Sequence, residues 1–195
     1  MILTETTTIP AASLPVDALT QHLRLGTGFA PGTEQGELLE AYLRAAISAV
    51  EGRTGCVLLQ KTFNWGLTGW RSYDRQGLPV RPVQAITEVK FIDRVGNEEV
   101  VSNDQYGLVK DDQEPCLVAV GLALPVPPQN GSVEITFDAG YGPDWADVPA
   151  DLARAVILLA ADFYENRTSR DAASLPAGVL GLLDRFRKVR LLGGA

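Results

Sequence analysis

The sequence predicts an α+β fold, with a helical core from N- and C-terminal helices and an inserted antiparallel β subdomain. Three observations predict it. Apolar residues recur at three and four positions near both ends of the chain, which is the helical period. From about Val57 to Asp138 the period falls to two, as in half-buried strands. Residues 135–167 (ITFDAGYGPDWADVPADLARAVILLAADFYENR) then pass from an alternating strand through a Gly-Tyr-Gly-Pro turn into a nearly all-apolar helix. Helices at both ends can bury their apolar faces by packing together, which leaves the strands as an insertion.

At the N-terminus, Ile2 and Leu3 precede a run of threonines and read as a short arm, ordered only if a neighbour holds it. A first helix spans Leu14 to Leu25, with Ala18, Leu19, His22, Leu23 and Leu25 as its stripe and Gly26 stopping it. Residues 26–32 form a loop. A longer helix runs from Thr33, its N-cap, to Thr54. Its core face is Leu39, Tyr42, Leu43, Ala46, Ile47 and Val50, while Glu37, Glu40, Arg44 and Glu51 face out. Gly55 follows as the residue that ends it.

In the β region, VLLQKTFNW alternates Val57, Leu59, Phe63 and Trp65 against Gln60, Thr62 and Asn64. LPVRPVQAI leads into TEVKFID, and the turn at residues 93–97 joins it to EEVV as a hairpin. Short strands follow near Gln105–Val109 and Cys116–Val120. ALPVPPQNG is too rich in proline for a central strand and reads as a loop. Val133, Ile135 and Phe137 then face one way in the next strand, opposite Glu134, Thr136 and Asp138. Gly140 and Gly142 allow unusual backbone conformations, and Pro143 stops the strand. Asp147 and Pro149 start a helix of about 25 Å ending at Glu165, apolar all round from Ala155 to Ala161. A polar linker, Thr168–Ser174, precedes a last helix from Ala177 to Arg190, lined by Val179, Leu182, Leu183, Phe186 and Val189. The expected organisation is one domain, 1–195: arm and helices at 1–56, β insertion at 57–140, core helix at 147–167, and a C-terminal helix at 175–195.

Composition bounds the function. The chain has 195 residues, 46% hydrophobic and 21% charged, enough for one good core. No apolar run approaches the ~20 residues of a membrane span, and the N-terminus lacks the basic and apolar regions of a secretory signal. Cys56 and Cys116 are isolated, which suits buried thiols in a reducing compartment. The net charge of −7 is unevenly placed. Residues 1–166 hold 11 basic and 22 acidic side chains, whereas residues 167–195 hold six basic and two acidic ones. An acidic body repels nucleic acid, and a basic end suits phosphate or an acidic protein surface.

Convergent catalytic groups are scarce. His22 is the single histidine, so a hydrolytic triad would have to use it. One histidine and two scattered cysteines cannot assemble a metal site of the His/Cys type. Gly26, Gly28 and Gly32 depart from a nucleotide fingerprint, because the third glycine is one residue late and a helix precedes them. The acid pairs Glu98/Glu99, Asp111/Asp112 and Asp144/Asp147 fall in turns or strand ends, where solvated carboxylates are ordinary. Trp65, Trp70 and Tyr73 are candidates for an aromatic platform in a carbohydrate-binding or tail-associated module, which is the alternative reading.

Several segments in order match a known pattern: LPVDALTQHLRL, LLEAYLRAAISAVEGRTGCVLLQKTFNW, LPVRPVQAITEVKFID, VEITFDAGYG, VPADLARAVILLAADFYENR and LPAGVLGLLDRFRKVR. Together they cover most of the chain, and their order and spacing resemble the head–tail connector (adaptor) proteins of tailed bacteriophages, prophages and gene transfer agents. The loop Gly66–Gly77 has no counterpart in the pattern. The resemblance implies a structural adaptor without catalysis, cofactor or metal. It implies a dodecameric ring below the portal protein, with stopper or tail proteins on the opposite face. Double-stranded DNA would pass through that ring without specific binding, and no membrane is involved. Assembly would take place in the bacterial cytoplasm before the protein joins the particle. The C-terminal segment would dock on the portal, with Phe186, Val189, Leu191 and Leu192 as apolar anchors and Arg185, Arg187, Lys188 and Arg190 orienting them. The alternative at this end is a last helix that folds back on its own core.

Overall fold

A computed structural model of the chain describes residues 2–26, 33–166 and 175–187. The expected loop at 26–32, apart from Gly26, and the linker at 168–174 lie outside the described residues, as do residues 188–195. The chain divides into two compact units, one made of residues up to Thr8 with Leu59–Tyr141, the other of Ile9–Leu58 with the chain from Gly142 onward.

The first unit holds the strands. They are β1 (Ile2–Glu5), β2 (Lys61–Leu67), β3 (Arg75–Gly77), β4 (Val83–Ile92), β5 (Glu98–Val100), β6 (Tyr106–Val109), β7 (Cys116–Ala119) and β8 (Ser132–Ala139). An antiparallel sheet runs in the order β1-β2-β8-β4-β5, and a second in the order β3-β7-β6. Strand β8 lies at the centre of the five. Val133, Ile135, Phe137 and Ala139 on one of its faces are fully buried, as the alternation predicts. Phe137 pairs with Phe63 of β2 in register, their rings stacked at 5.6 Å between centroids.

Two details depart from the expected pattern. The N-terminal residues are not a free arm: β1 pairs with β2 from Ile2 opposite Gly66 to Glu5 opposite Phe63, so the chain's own sheet holds them. The stretch at 56–59 is buried throughout instead of alternating, and the strand begins only at Lys61. There the Leu58 N–H donates to the Glu51 carboxylate at 2.8 Å, a side-chain bond in place of a ladder bond. Lys61 continues the inward face of β2 at 4% exposure. Its ammonium meets Glu5 at 3.0 Å and lies 5.8 Å from the Phe63 ring centroid.

The second unit holds the helices α1 (Val16–His22), α2 (Glu34–Thr54), α3 (Ala150–Glu165) and α4 (Ala177–Leu183). Helices from both ends of the sequence pack together here, α2 against α3 and α3 against α4, which forms the expected helical core. The Thr33 hydroxyl accepts the Gly36 N–H at 3.0 Å, and Gly55 closes α2 in the left-handed conformation at φ 70°. Leu152, Ala155, Val156, Leu159 and Ala160 of α3 are almost wholly buried. Tyr42 and Tyr164 meet edge to face at 6.0 Å.

Helix α1 is shorter than expected and turned. Leu14, Val16 and Leu19 are buried, while Ala18 and His22 are exposed. Residues 16 and 19 share one helix face, and residues 18 and 22 share the neighbouring one, which solvent covers. Helix α4 is also shorter. It ends at Leu183 in a tight turn over Asp184–Phe186, and Arg187 is extended. Gly178 and Gly181 weaken its propagation, each by about 1 kcal/mol relative to alanine.

The chain passes between the units at residues 8–9, 58–59 and 141–142, the last within the Gly-Tyr-Gly-Pro turn. Gly140 has φ +130°, and a Cβ on it would lie 2.6 Å from the backbone of Gln60. Only glycine fits where both the conformation and the space exclude a side chain.

Candidate functional site

The C-terminal segment begins as part of the helical core. Val179 and Leu183 are buried, and Leu182 is half-buried. Beyond them Arg185 reaches Asp151 in the first turn of α3, Nη1 to Oδ2 at 2.9 Å, the arginine largely in solvent and the aspartate half-buried. Its guanidinium also lies 4.9 Å from the Phe186 ring centroid. Arg187 stands 3.8 Å from the Asp184 carboxylate. Of the eight expected docking residues, Arg185 and Arg187 are exposed and Phe186 is half-buried. Lys188, Val189, Arg190, Leu191 and Leu192 lie outside the described residues. Helix α4 packs on α3 of its own unit, with Val179 and Leu183 buried.

The aromatic trio does not form a platform. Trp65 is buried in β2. Trp70 is half-buried, its Nε1–H donating to the Pro125 carbonyl at 2.7 Å and its ring edge-on to Phe91 at 6.3 Å. Tyr73 is 75% exposed. These positions reflect a feature that the periodicity does not reveal. The segment between β2 and β3 is fastened to the proline-rich loop after β7, by the Trp70 bond and by the Leu124 N–H donating to the Tyr73 carbonyl at 2.7 Å. The two loops form a shallow groove lined by Trp70, Tyr73, Leu124 and Val126. Leu122, Val126 and Val120, in the same stretch of chain, are 95%, 86% and 66% exposed. The available signal was apolar residues inside a segment whose prolines already made it a loop.

The acid pairs serve turns and ion pairs. The Asp147 carboxylate accepts the Asp144 N–H at 3.1 Å at the entry to α3. Asp111 accepts the Glu114 and Gln113 N–H groups, which hold its carboxyl below the usual range. Asp93 does the same for the turn at 93–97, lowered first by the Asn97 side chain and then by backbone N–H groups. Glu98 pairs with Lys90 across β4 and β5, and with Glu88 it raises that ammonium. Burial, then the Glu88 charge, pushes the Tyr106 hydroxyl up. Among the described residues no three His, Cys, Asp or Glu side chains group as a metal site requires, and no helix is long and apolar enough to cross a membrane.

What this arrangement can do is bind other surfaces. It holds the exposed Arg185 and Arg187 after α4, and exposed apolar residues on a loop fastened by Trp70 and Leu124. No protein-family model and no curated protein matches the chain. Solved structures do. A chain in the neck of an empty gene transfer agent particle, computed with C6 symmetry, is 46% identical with a TM-score of 0.90, and the match covers 100% of this chain and 99% of that one. A chain in the neck of the native particle, computed with C12 symmetry, is 43% identical with a TM-score of 0.86 and the same coverage. A chain in the virion of a native gene transfer agent particle is 47% identical with a TM-score of 0.87, again over 100% and 99%. The chain therefore belongs to the head–tail connector family, among the neck proteins of gene transfer agent particles.

Proposed function

We propose that this protein is a head–tail adaptor that forms a ring below the portal, around the channel through which DNA leaves the capsid, and links it to the stopper and tail proteins. The observation that carries the reading is identity of 43% and 46% to two neck chains along the full length. The C12 and C6 symmetries of those necks support a ring, and a dodecamer fits both. The charge distribution agrees with a channel role. A body with 22 acidic and 11 basic side chains repels a passing duplex, so the duplex slides instead of sticking.

The portal contact is assigned to the basic C-terminal segment. Arg185, Phe186 and Arg187 stand where it leaves the helical core, followed in sequence by Lys188, Val189, Arg190, Leu191 and Leu192. Because Val179 and Leu183 belong to the core, the informative truncation removes residues 188–195 and leaves α4 in place. That truncation is expected to fold with an unchanged far-ultraviolet spectrum and to leave heads and tails unjoined in electron micrographs. Tailed particles in normal numbers would refute the portal assignment. Assembly would take place in the bacterial cytoplasm before the protein joins the particle.

A further inference from the structure

We infer that Asn130 is a site of spontaneous deamidation, and that opening of the turn before β8 gates the reaction. The turn runs from Pro128 to Gly131, closed by the Gly131 N–H donating to the Pro128 carbonyl at 3.0 Å. Asn130 is exposed within it at φ 58°, a left-handed conformation that asparagine adopts more readily than most residues. A Cβ on Gly131 would lie 2.4 Å from the Ile92 carbonyl oxygen of β4, so glycine is required there. The fold thus selects an Asn-Gly pair, and Asn130 is the one asparagine of the chain that glycine follows.

An Asn-Gly pair is chemically labile because glycine has no side chain to obstruct attack by its nitrogen on the asparagine side chain. The Gly131 nitrogen gives up its proton and bonds to the Asn130 side-chain carbonyl carbon. A succinimide ring closes, and the side-chain nitrogen takes up a proton and leaves as ammonia. Water then opens the ring in one of two ways. Cleavage of the new C–N bond leaves aspartate. Cleavage of the original backbone C–N bond leaves isoaspartate, whose main chain is longer by one methylene. In the closed turn the Gly131 N–H is already bonded to Pro128, and Ser132 is paired opposite Ile92 in the β4–β8 ladder. Turning that nitrogen toward the Asn130 side chain breaks the first bond and strains the second, so ring closure waits for local opening. The two products then behave differently. Aspartate tolerates the left-handed conformation, so the turn closes again. Isoaspartate adds a link between Pro128 and Ser132, and the turn bond and the Ser132–Ile92 register are no longer met together. Deamidation at this one position therefore makes a reversible opening beside the central strand permanent.

The test incubates the purified full chain in mildly alkaline buffer, with and without denaturing urea, and follows residues 111–154, one tryptic peptide, by mass spectrometry. Replacement of NH2 by OH adds about 1 Da, and fragmentation is expected to place it on Asn130 as mixed aspartate and isoaspartate. The folded chain is expected to react more than about tenfold slower than the unfolded one. An unmodified Asn130 in urea, a gain confined to Gln113 or Gln129, or equal rates in the two states would overturn the inference. Asn130→Gly, which suits the positive φ, is expected to keep the melting temperature and to lose the mass gain. Persistence of the gain in that variant would overturn the assignment to Asn130. On dilution from urea, isoaspartate is expected in the unfolded fraction and aspartate in the folded one, as in Asn130→Asp. Equal refolding of both products would overturn the role given to the turn.

Discussion

Strand β8 and the loop just before it put the same kinds of side chain to opposite use. Val133, Ile135 and Phe137 are fully buried between β2 and β4. Val120, Leu122 and Val126, a few residues earlier, are 66–95% exposed. Burial of an apolar side chain stabilises the fold by about 1.5–3 kcal/mol, so the loop residues forgo in the isolated chain what the strand residues gain. The difference separates residues that make the protein fold from residues that the fold does not need. A variant in the first set should fail as a protein. One in the second set should leave the folded chain intact.

The largest effect is expected where the sheet turns back toward the helices. Gly140→Ala forces a Cβ against the Gln60 backbone at a φ that L-residues avoid. A destabilisation above about 3 kcal/mol is expected, measured by urea unfolding or seen as insoluble expression. Phe137→Ala should follow, at about 3–5 kcal/mol, from the lost ring and the cavity beside Phe63. Thr33→Ala removes one helix cap and should cost about 1 kcal/mol, a few degrees of melting temperature. By contrast Leu122→Asp should move stability by less than about 0.5 kcal/mol. If it unfolded the chain as Phe137→Ala does, the distinction between the two regions would be lost.

Protonation offers a smaller perturbation confined to the turns. The carboxyl of Asp93 titrates below its ordinary value because Asn97 and backbone N–H groups bind the ionised form. Its support for the turn is therefore complete above the unfolded value of about 3.9 and is lost as pH falls through the lower folded value. Amide exchange of Val95 and Asn97 should accelerate over that acid range and stay flat near neutrality. Lys90 behaves in the opposite sense. Glu98 and Glu88 raise it, so its contribution holds at neutral pH and fades only as pH rises through the raised value.

Much of the architecture was legible because its signals are local. The Thr33 cap, the Gly55 stop and the inward face of β8 each follow from a residue and its immediate neighbours. What was not legible depended on distant partners. Nothing near Ile2 reveals that β2 will hold it, and nothing near Lys61 reveals that Glu5 and Phe63 make its burial tolerable. The exposed apolar loop was hidden for a related reason. Prolines marked residues 123–131 as a loop, but the bonds from Trp70 and Leu124 that raise Val126 into solvent span some fifty residues of sequence. Helix α4 misled through composition, since its apolar spacing continues past the point where two glycines let it end. The docking segment was read from its charge and from the family resemblance. Structure adds where the chain leaves α4, beside the Arg185–Asp151 ion pair.

As a relative of neck chains, this protein is proposed to join heads to tails through its surfaces. Negative-stain electron microscopy of particles from cells lacking this chain tests it most directly. Tail-less capsids beside free tails are expected, with joined particles restored by the wild-type chain and not by the chain lacking residues 188–195. Intact tailed particles made without the chain would contradict the account.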